Sequence, residues 1–197
     1  MPVNVLGPGY PFRFISQRPL DPSGLLLEMY LCPFRTRSGE AYIAQVEKYA
    51  HHVYIVKFYL KRDRNTRDPE QRFQRQTNVG AGEAIRIIHT CFRVMLRVIE
   101  RDPLASCGFI GTPKPTEDKA TTQRYRIYVQ MMRNFFSATR FEHREFPAES
   151  AFLLLNRAAL ARDPDLLRHA AAMFDALYLM PGGLHPPAGP PEPAGVG

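Results

Sequence analysis

Between His51 and Asn156 the spacing of apolar residues switches repeatedly between the period of a strand and that of a helix, and this order restricts the folds open to the chain. Val53 to Leu60 is rich in β-branched and aromatic residues and reads as a strand. Gly82 to Arg101 carries Ile85, Ile88, Phe92, Met95, Val98 and Ile99 at helical spacing, with Arg86, Thr90, Arg93 and Arg97 on the opposite stripe. Cys107 to Ile110 is a short apolar run without alternation, as a strand buried on both faces requires. Gln123 to Phe136 reads as a second amphipathic helix, and Phe141 to Phe146 and Ala151 to Asn156 as two closing strands interrupted at Pro147.

The N-terminal part adds strands. Tyr10 to Ser16 alternates aromatic and basic residues; Pro19, Pro22 and Gly24 then break the pattern before an apolar run, Leu25 to Leu31, that Cys32-Pro33 is expected to end. Ser38-Gly39 marks a turn. Tyr42 to Lys48 alternates, with Tyr42, Ala44 and Val46 on one side and Ile43, Gln45 and Glu47 on the other. The short link Tyr49 to His52 predicts an antiparallel hairpin with the next strand. The expected fold is therefore α+β: a single domain with a mixed, mostly antiparallel sheet of about seven strands and two packed helices. The core domain is predicted over 10–157. A C-terminal helix follows over 163–180, opened by Asp163-Pro164-Asp165. The Pro- and Gly-rich tail, 181–197, is too poor in apolar residues to offset chain entropy and is expected to be disordered.

A net charge of +7 favours weak association with polyanions. Three widely spaced cysteines without a C-x-x-C argue against a disulfide framework or a zinc site and fit a reducing cytoplasm. Met1 to Tyr10 lacks the basic-then-apolar pattern of a secretory signal, and no run reaches the length of a membrane span. A cytoplasmic location is expected, with no membrane partner.

Candidate chemistry gathers around Asn78-Val79-Gly80-Ala81-Gly82, directly before the long helix. Glycines let a backbone approach a phosphate closely, and the helix N-terminus favours an anion there, with Arg75 or Arg86 assisting. The absence of a following Lys-Ser or Lys-Thr excludes a P-loop. The connector 61–77 carries Arg62, Arg64, Arg67, Arg72 and Arg75, which could bind nucleic acid through phosphates with Phe73 as a stacking ring. His143, in a strand, is a candidate general base. His51-His52 falls at a hairpin turn, where histidines are expected to be solvated, and His89 at the border of a helix stripe. No H-x-x-x-H or H-E-x-x-H spacing occurs, so no metal is expected.

The order of four strands, helix, strand, helix and two strands over about 41–156 resembles the later part of GNAT-type N-acetyltransferases. The resemblance implies that residues 78–82 hold the pyrophosphate of acetyl-CoA or CoA, and that Tyr128, in Arg126-Ile127-Tyr128, serves as general acid. The chain departs from that pattern at Thr77, where the family has Gln or Arg. It departs again in its connector of seventeen residues, and in residues 17 to 24, which are too few for the family's first two helices. The strings Gly108-Phe109-Ile110-Gly111 and Arg124 to Tyr128 are also similar to bacterial proteins without an assigned mechanism. Three function classes stay open: an interaction or regulatory module with a protein partner, an acyl-CoA-dependent acyltransferase, and a nucleic-acid-binding protein.

Overall fold

The computed structural model describes residues 7–19, 21, 23–66, 71–74, 79–111, 120 and 122–178. The elements in chain order are β1 (Ile15–Gln17), β2 (Glu28–Arg35), β3 (Ala41–Tyr49), β4 (Val53–Leu60), α1 (Gln71–Gln74), α2 (Ala81–Arg101), β5 (Ser106–Ile110), α3 (Gln123–Phe135), β6 (Phe141–Phe146), β7 (Ala151–Asn156), α4 (Arg157–Arg162) and α5 (Leu166–Tyr178). The seven strands form one sheet in the order β1-β2-β3-β4-β5-β7-β6, so β1 and β6 are its outer strands. Every pair is antiparallel except β4 and β5, which run parallel. The architecture is α+β, as the switching periodicity predicts.

Strand alternation sorts the side chains onto two faces. On the first face Tyr42, Ala44, Val46, Tyr54, Val56 and Leu154 pack against Ile87, Phe92, Met95 and Val98 of α2 and Tyr125, Val129 and Met132 of α3. On the second, Val53, Ile55, Leu153 and Leu155 meet Leu166, Ala170 and Phe174 of α5. Farther along that face, Leu31, Ile43 and Tyr59 bury Phe73 of α1. Between the two apolar patches lies a charged group: Glu47 accepts from Gln45 Nε2 at 2.6 Å and the Tyr49 hydroxyl at 2.9 Å, and pairs with Lys57 Nζ at 3.1 Å.

A segment ahead of β1 is strapped along α2. Tyr10 N–H donates to Thr90 Oγ1 at 2.8 Å, the Arg86 guanidinium lies 4.5 Å over the Tyr10 ring, and the Arg101 guanidinium 4.1 Å over Phe14. These contacts explain why the aromatic–basic alternation of Tyr10 to Ser16 yields a strand only at Ile15–Gln17: the rings are used against a helix rather than in a ladder. Nor does Pro33 end β2, which continues to Arg35. Beyond Leu31 no β1 residue flanks β2, so a missing N–H at Pro33 costs no sheet hydrogen bond on that side. Residues Leu25–Leu27, expected in the strand, precede it. The connector after β4 is not wholly irregular, since it contains a 3₁₀ turn at Lys61–Asp63 and the short α1. The C-terminal helical region is divided between α4 and α5 at Asp163, and the predicted tail lies outside the described residues. No described helix is long and apolar enough to cross a membrane.

At one end of the sheet Asp102 closes α2 and gathers three donors: His52 Nδ1 at 2.7 Å, the Tyr54 hydroxyl at 2.9 Å and Leu104 N–H at 3.1 Å. Burial pushes its carboxyl up, but these hydrogen bonds, that from His52 foremost, hold it below the ordinary aspartate value. A depressed folded pKa contributes stability above the unfolded value, and that contribution disappears as pH falls through the folded one. Asp102→Asn is therefore expected to cost about 1.5–3 kcal/mol at neutral pH. In urea titrations the gap between variant and parent should narrow as pH falls below the ordinary aspartate value. A gap that stays constant with pH would show that the carboxylate charge is not what matters.

Candidate functional site

The parallel pairing of β4 with β5 covers Val53–Ile55 against Ser106–Gly108 and then stops, although β4 continues to Leu60. Past Ile55 the edge of β4 facing β5 has no strand partner among the described residues. The two strands thus part toward their C-terminal ends. Beside this divergence Val56, Phe58, Phe109, Cys91, Phe92, Met95, Tyr128 and Met132 line an apolar cavity of about 20 Å³, room for about one water molecule.

Two helix N-termini flank the wide end. Leu60 pairs with Tyr42, which puts the C-terminal end of β4 beside the β2–β3 turn, and the first turn of α2 is tied to that same turn. Glu83 accepts from Ser38 N–H at 3.1 Å, the Ser38 hydroxyl at 2.9 Å and the Tyr10 hydroxyl at 3.3 Å. The Ser38 donors, backbone before side chain, hold its carboxyl below the usual glutamate value. Beyond β5, Thr122 caps α3 by accepting from Tyr125 N–H, while its hydroxyl donates to Gly111 O at 2.9 Å. Gly111 has no room for a side chain: a Cβ there would lie 2.6 Å from Thr122 Oγ1 and 2.9 Å from Tyr125 N. Ser150 completes the joint by accepting Thr122 N–H on its hydroxyl at 2.9 Å. The ends of two helices where backbone N–H groups lack intrahelical partners are thereby held at the mouth between the strands.

Gly80 is the N-cap of α2, without a side-chain cap, and Gly80, Ala81 and Gly82 are exposed. A Cβ at either glycine would meet nothing within 4 Å, so this corner is open. Val79 packs half-buried on the α2 core, while Asn78 lies outside the described residues. Arg86 is not directed at the loop. Its Nη2 donates to Gly9 O at 3.5 Å and its guanidinium covers Tyr10, whereas the expectation placed it beside an anion at Gly80–Gly82.

Tyr128 stands at the divergence, its ring edge-on to Phe109 at 4.8 Å between centroids. Burial pushes its pKa well above the ordinary tyrosine value, so its hydroxyl keeps its proton at neutral pH. His143 is elsewhere. Its Nε2 lies 3.0 Å from Phe136 O, and its ring meets Phe152, which in turn stacks on Phe109. Burial lowers its pKa. Two aromatic rings therefore separate the two candidate catalytic residues.

Among the described residues, the arginines of the basic connector each have a partner or a ring beside them. Arg62 pairs with Glu40 at 3.6 Å, Arg64 donates to Gln17 at 3.5 Å, and the Arg72 guanidinium lies 4.8 Å from both the Tyr59 and Phe73 rings. Phe73 is buried and cannot stack on a base. Arg67 and Arg75 lie outside the described residues. Arg93 and Arg97 instead line an open groove of about 900 Å³ against the strap at Pro8 to Phe14.

The three cysteines are buried, and burial raises each thiol, Cys32 and Cys107 to about 12, so none supplies a thiolate. What sequence reasoning missed is the lining of the cavity. Phe58 and Phe109 read only as core residues, and the one available signal, a short apolar strand after a long crossover, did not tell where its pairing would end. Compared with models of protein families, with curated proteins and with solved structures, the chain gives no match in any of the three.

Proposed function

We propose that this chain binds an acyl-coenzyme A and is an acyltransferase of the GNAT type. The observation that carries the reading is the divergence of the single parallel strand pair, with two helix N-termini at its mouth. An extended pantetheine arm needs peptide groups to pair with, and the β4 edge past Ile55 offers them. A pyrophosphate needs donors at the outer end, where the first turn of α2 carries no side chain at Gly80 or Gly82. The leaving thiolate of an acyl transfer needs a proton, and Tyr128 holds one beside the cavity. A neutral amine would attack the thioester carbonyl, forming the carbon–nitrogen bond; the carbon–sulfur bond would break, the Tyr128 hydroxyl would protonate the departing sulfur, and the proton shed by the nitrogen would restore the Tyr128 hydroxyl. Because the cavity is about 20 Å³, entry of the arm requires Phe58 and Phe109 to swing aside.

That small volume favours a second reading, an interaction module without chemistry, and one experiment divides the two. CoA and acetyl-CoA at millimolar concentration are expected to raise thermal stability, by about 2.7 kcal/mol at a hundred times Kd. Gly82→Asp, which sets a carboxylate at the open corner, should remove the shift. Tyr128→Phe should keep it while abolishing CoA release with an amine acceptor. Absence of any shift for the parent protein rejects the acyl-CoA reading. The nucleic-acid reading is weakened by the burial of Phe73 and by the partners of Arg62, Arg64 and Arg72.

A further inference from the structure

At the end of the sheet opposite that mouth, three side chains from separate elements converge on one point. His51 lies in the turn between β3 and β4, Asp163 between α4 and α5, and His169 in the first half of α5. His51 Nδ1 lies 2.8 Å from Asp163 Oδ2, and His169 Nδ1 lies 3.0 Å from the same oxygen. All three candidate ligand atoms are within 4.8 Å of one another, and the two imidazoles stack with centroids 4.2 Å apart.

From this arrangement we infer that His51, Asp163 and His169 form a binding site for a divalent transition-metal ion of the zinc class. Two neutral imidazoles and a carboxylate are the donor set that suits borderline-soft ions, and three protein ligands leave a fourth position for water or another small ligand. With metal–ligand bonds of about 2.0–2.1 Å, a tetrahedron has edges of roughly 3.3 Å. The two nitrogen–oxygen separations are within half an ångström of that, so a slight spreading of the carboxylate admits the ion. Asp163 is already oriented for this, since its Oδ1 accepts from Asp165 N–H at 3.1 Å.

Two further observations support a ligand over a chance cluster. His51 and His52 both adopt φ of 57°, the left-handed region in which glycine or asparagine is the undemanding choice, and a turn that keeps histidine there holds backbone strain. His51 and Asp163 of the cluster also line a cavity of about 400 Å³, whose wall includes Lys48, His52, Leu104 and Arg162. The fourth position would face that cavity, where Lys48 is already paired with Glu28 at 2.6 Å and Arg162 also lines the wall. His52 is not a ligand, because its Nδ1 is engaged by Asp102. This inference does not depend on the acyl-CoA reading, as the two sites lie at opposite ends of the sheet.

The test uses the full, untagged chain stripped with a chelator. Cobalt(II) is expected to bind at one equivalent with the visible absorption of a tetrahedral site, and zinc should displace it. With a micromolar Kd, about 100 µM zinc chloride should raise the Tm by roughly 5–10 °C. His169→Gln should abolish both signals while the apo protein keeps the parent Tm to within a few degrees. His52→Gln should leave cobalt binding intact. If the parent chain takes up no cobalt, or if His169→Gln binds it as tightly as the parent does, the site does not exist.

Discussion

Phe174→Ala is expected to lower the free energy of unfolding by about 3–5 kcal/mol, the largest single loss among the substitutions considered. Phe174 is fully buried, and its ring fills a notch that β5 leaves by having no side chain at Gly108. A Cβ built on Gly108 would stand 2.5 Å from Phe174 Cζ and 3.0 Å from Leu153 Cδ2. The reciprocal change, Gly108→Val, should therefore cost about 1–3 kcal/mol through overpacking. Combining Gly108→Ala with Phe174→Leu should cost less than the two changes summed, because each relieves what the other disturbs. Urea unfolding of Phe174→Ala, Gly108→Val, the double variant and its two single components measures this. A loss below about 1 kcal/mol for Phe174→Ala would mean that α5 is not docked on the sheet as described.

Glu47→Ala is the second large effect, expected at about 3 kcal/mol or more. Glu47 is 5% exposed, and its removal takes one hydrogen-bond or ion-pair partner from each of the Lys57 ammonium, the Gln45 amide and the Tyr49 hydroxyl. Lys57→Met alone should also destabilise, since it strands the carboxylate. Changing both residues to methionine should recover much of the loss, because two apolar side chains of similar volume need no compensating charge. A double-mutant cycle in guanidinium gives the coupling directly. Simple additivity of the two single changes would refute the pairing.

Glu47 also shows where sequence reasoning reaches its limit. Alternation along Tyr42 to Lys48 assigns Ile43, Gln45 and Glu47 to one face, and the structure agrees. That this face is covered, and that a carboxylate is retained beneath the cover, depends on Lys57 of the next strand. No local pattern carries that information. The long helix, the apolar central strand and the aromatic helix were legible because each buries a stripe whose period repeats within its own length. Pro33 misled because a proline is tolerated wherever its strand has an open side, which here follows from the shortness of the neighbouring β1.

The glycines divide in the same way. Gly80 and Gly82 drew attention by their spacing, yet a side chain at either meets no atom, whereas Gly108 and Gly111 are among the positions where neighbours leave no space. Local spacing signals an open corner but cannot signal a crowded one, since the crowding atoms come from α5 and from the start of α3. Tyr128 was singled out by the resemblance in element order, and His143 by its chemistry alone. The rings of Phe109 and Phe152 that keep them apart belong to strands adjacent only in the folded sheet. His51, Asp163 and His169 carry no spacing signal at all, because three different elements bring them together.

The outermost strands have a consequence for how copies of this protein behave toward one another. One margin of the sheet is a strand of only three residues, and the other bears Glu142, Arg144 and Glu145, with Arg144 and Arg157 both engaging Glu142. Neither rim presents a long, uncharged row of peptide groups onto which a neighbouring molecule could add its own strand. Self-templated growth into fibrils is discouraged at both borders, and concentrated solutions of the folded chain are expected to resist that route to precipitation.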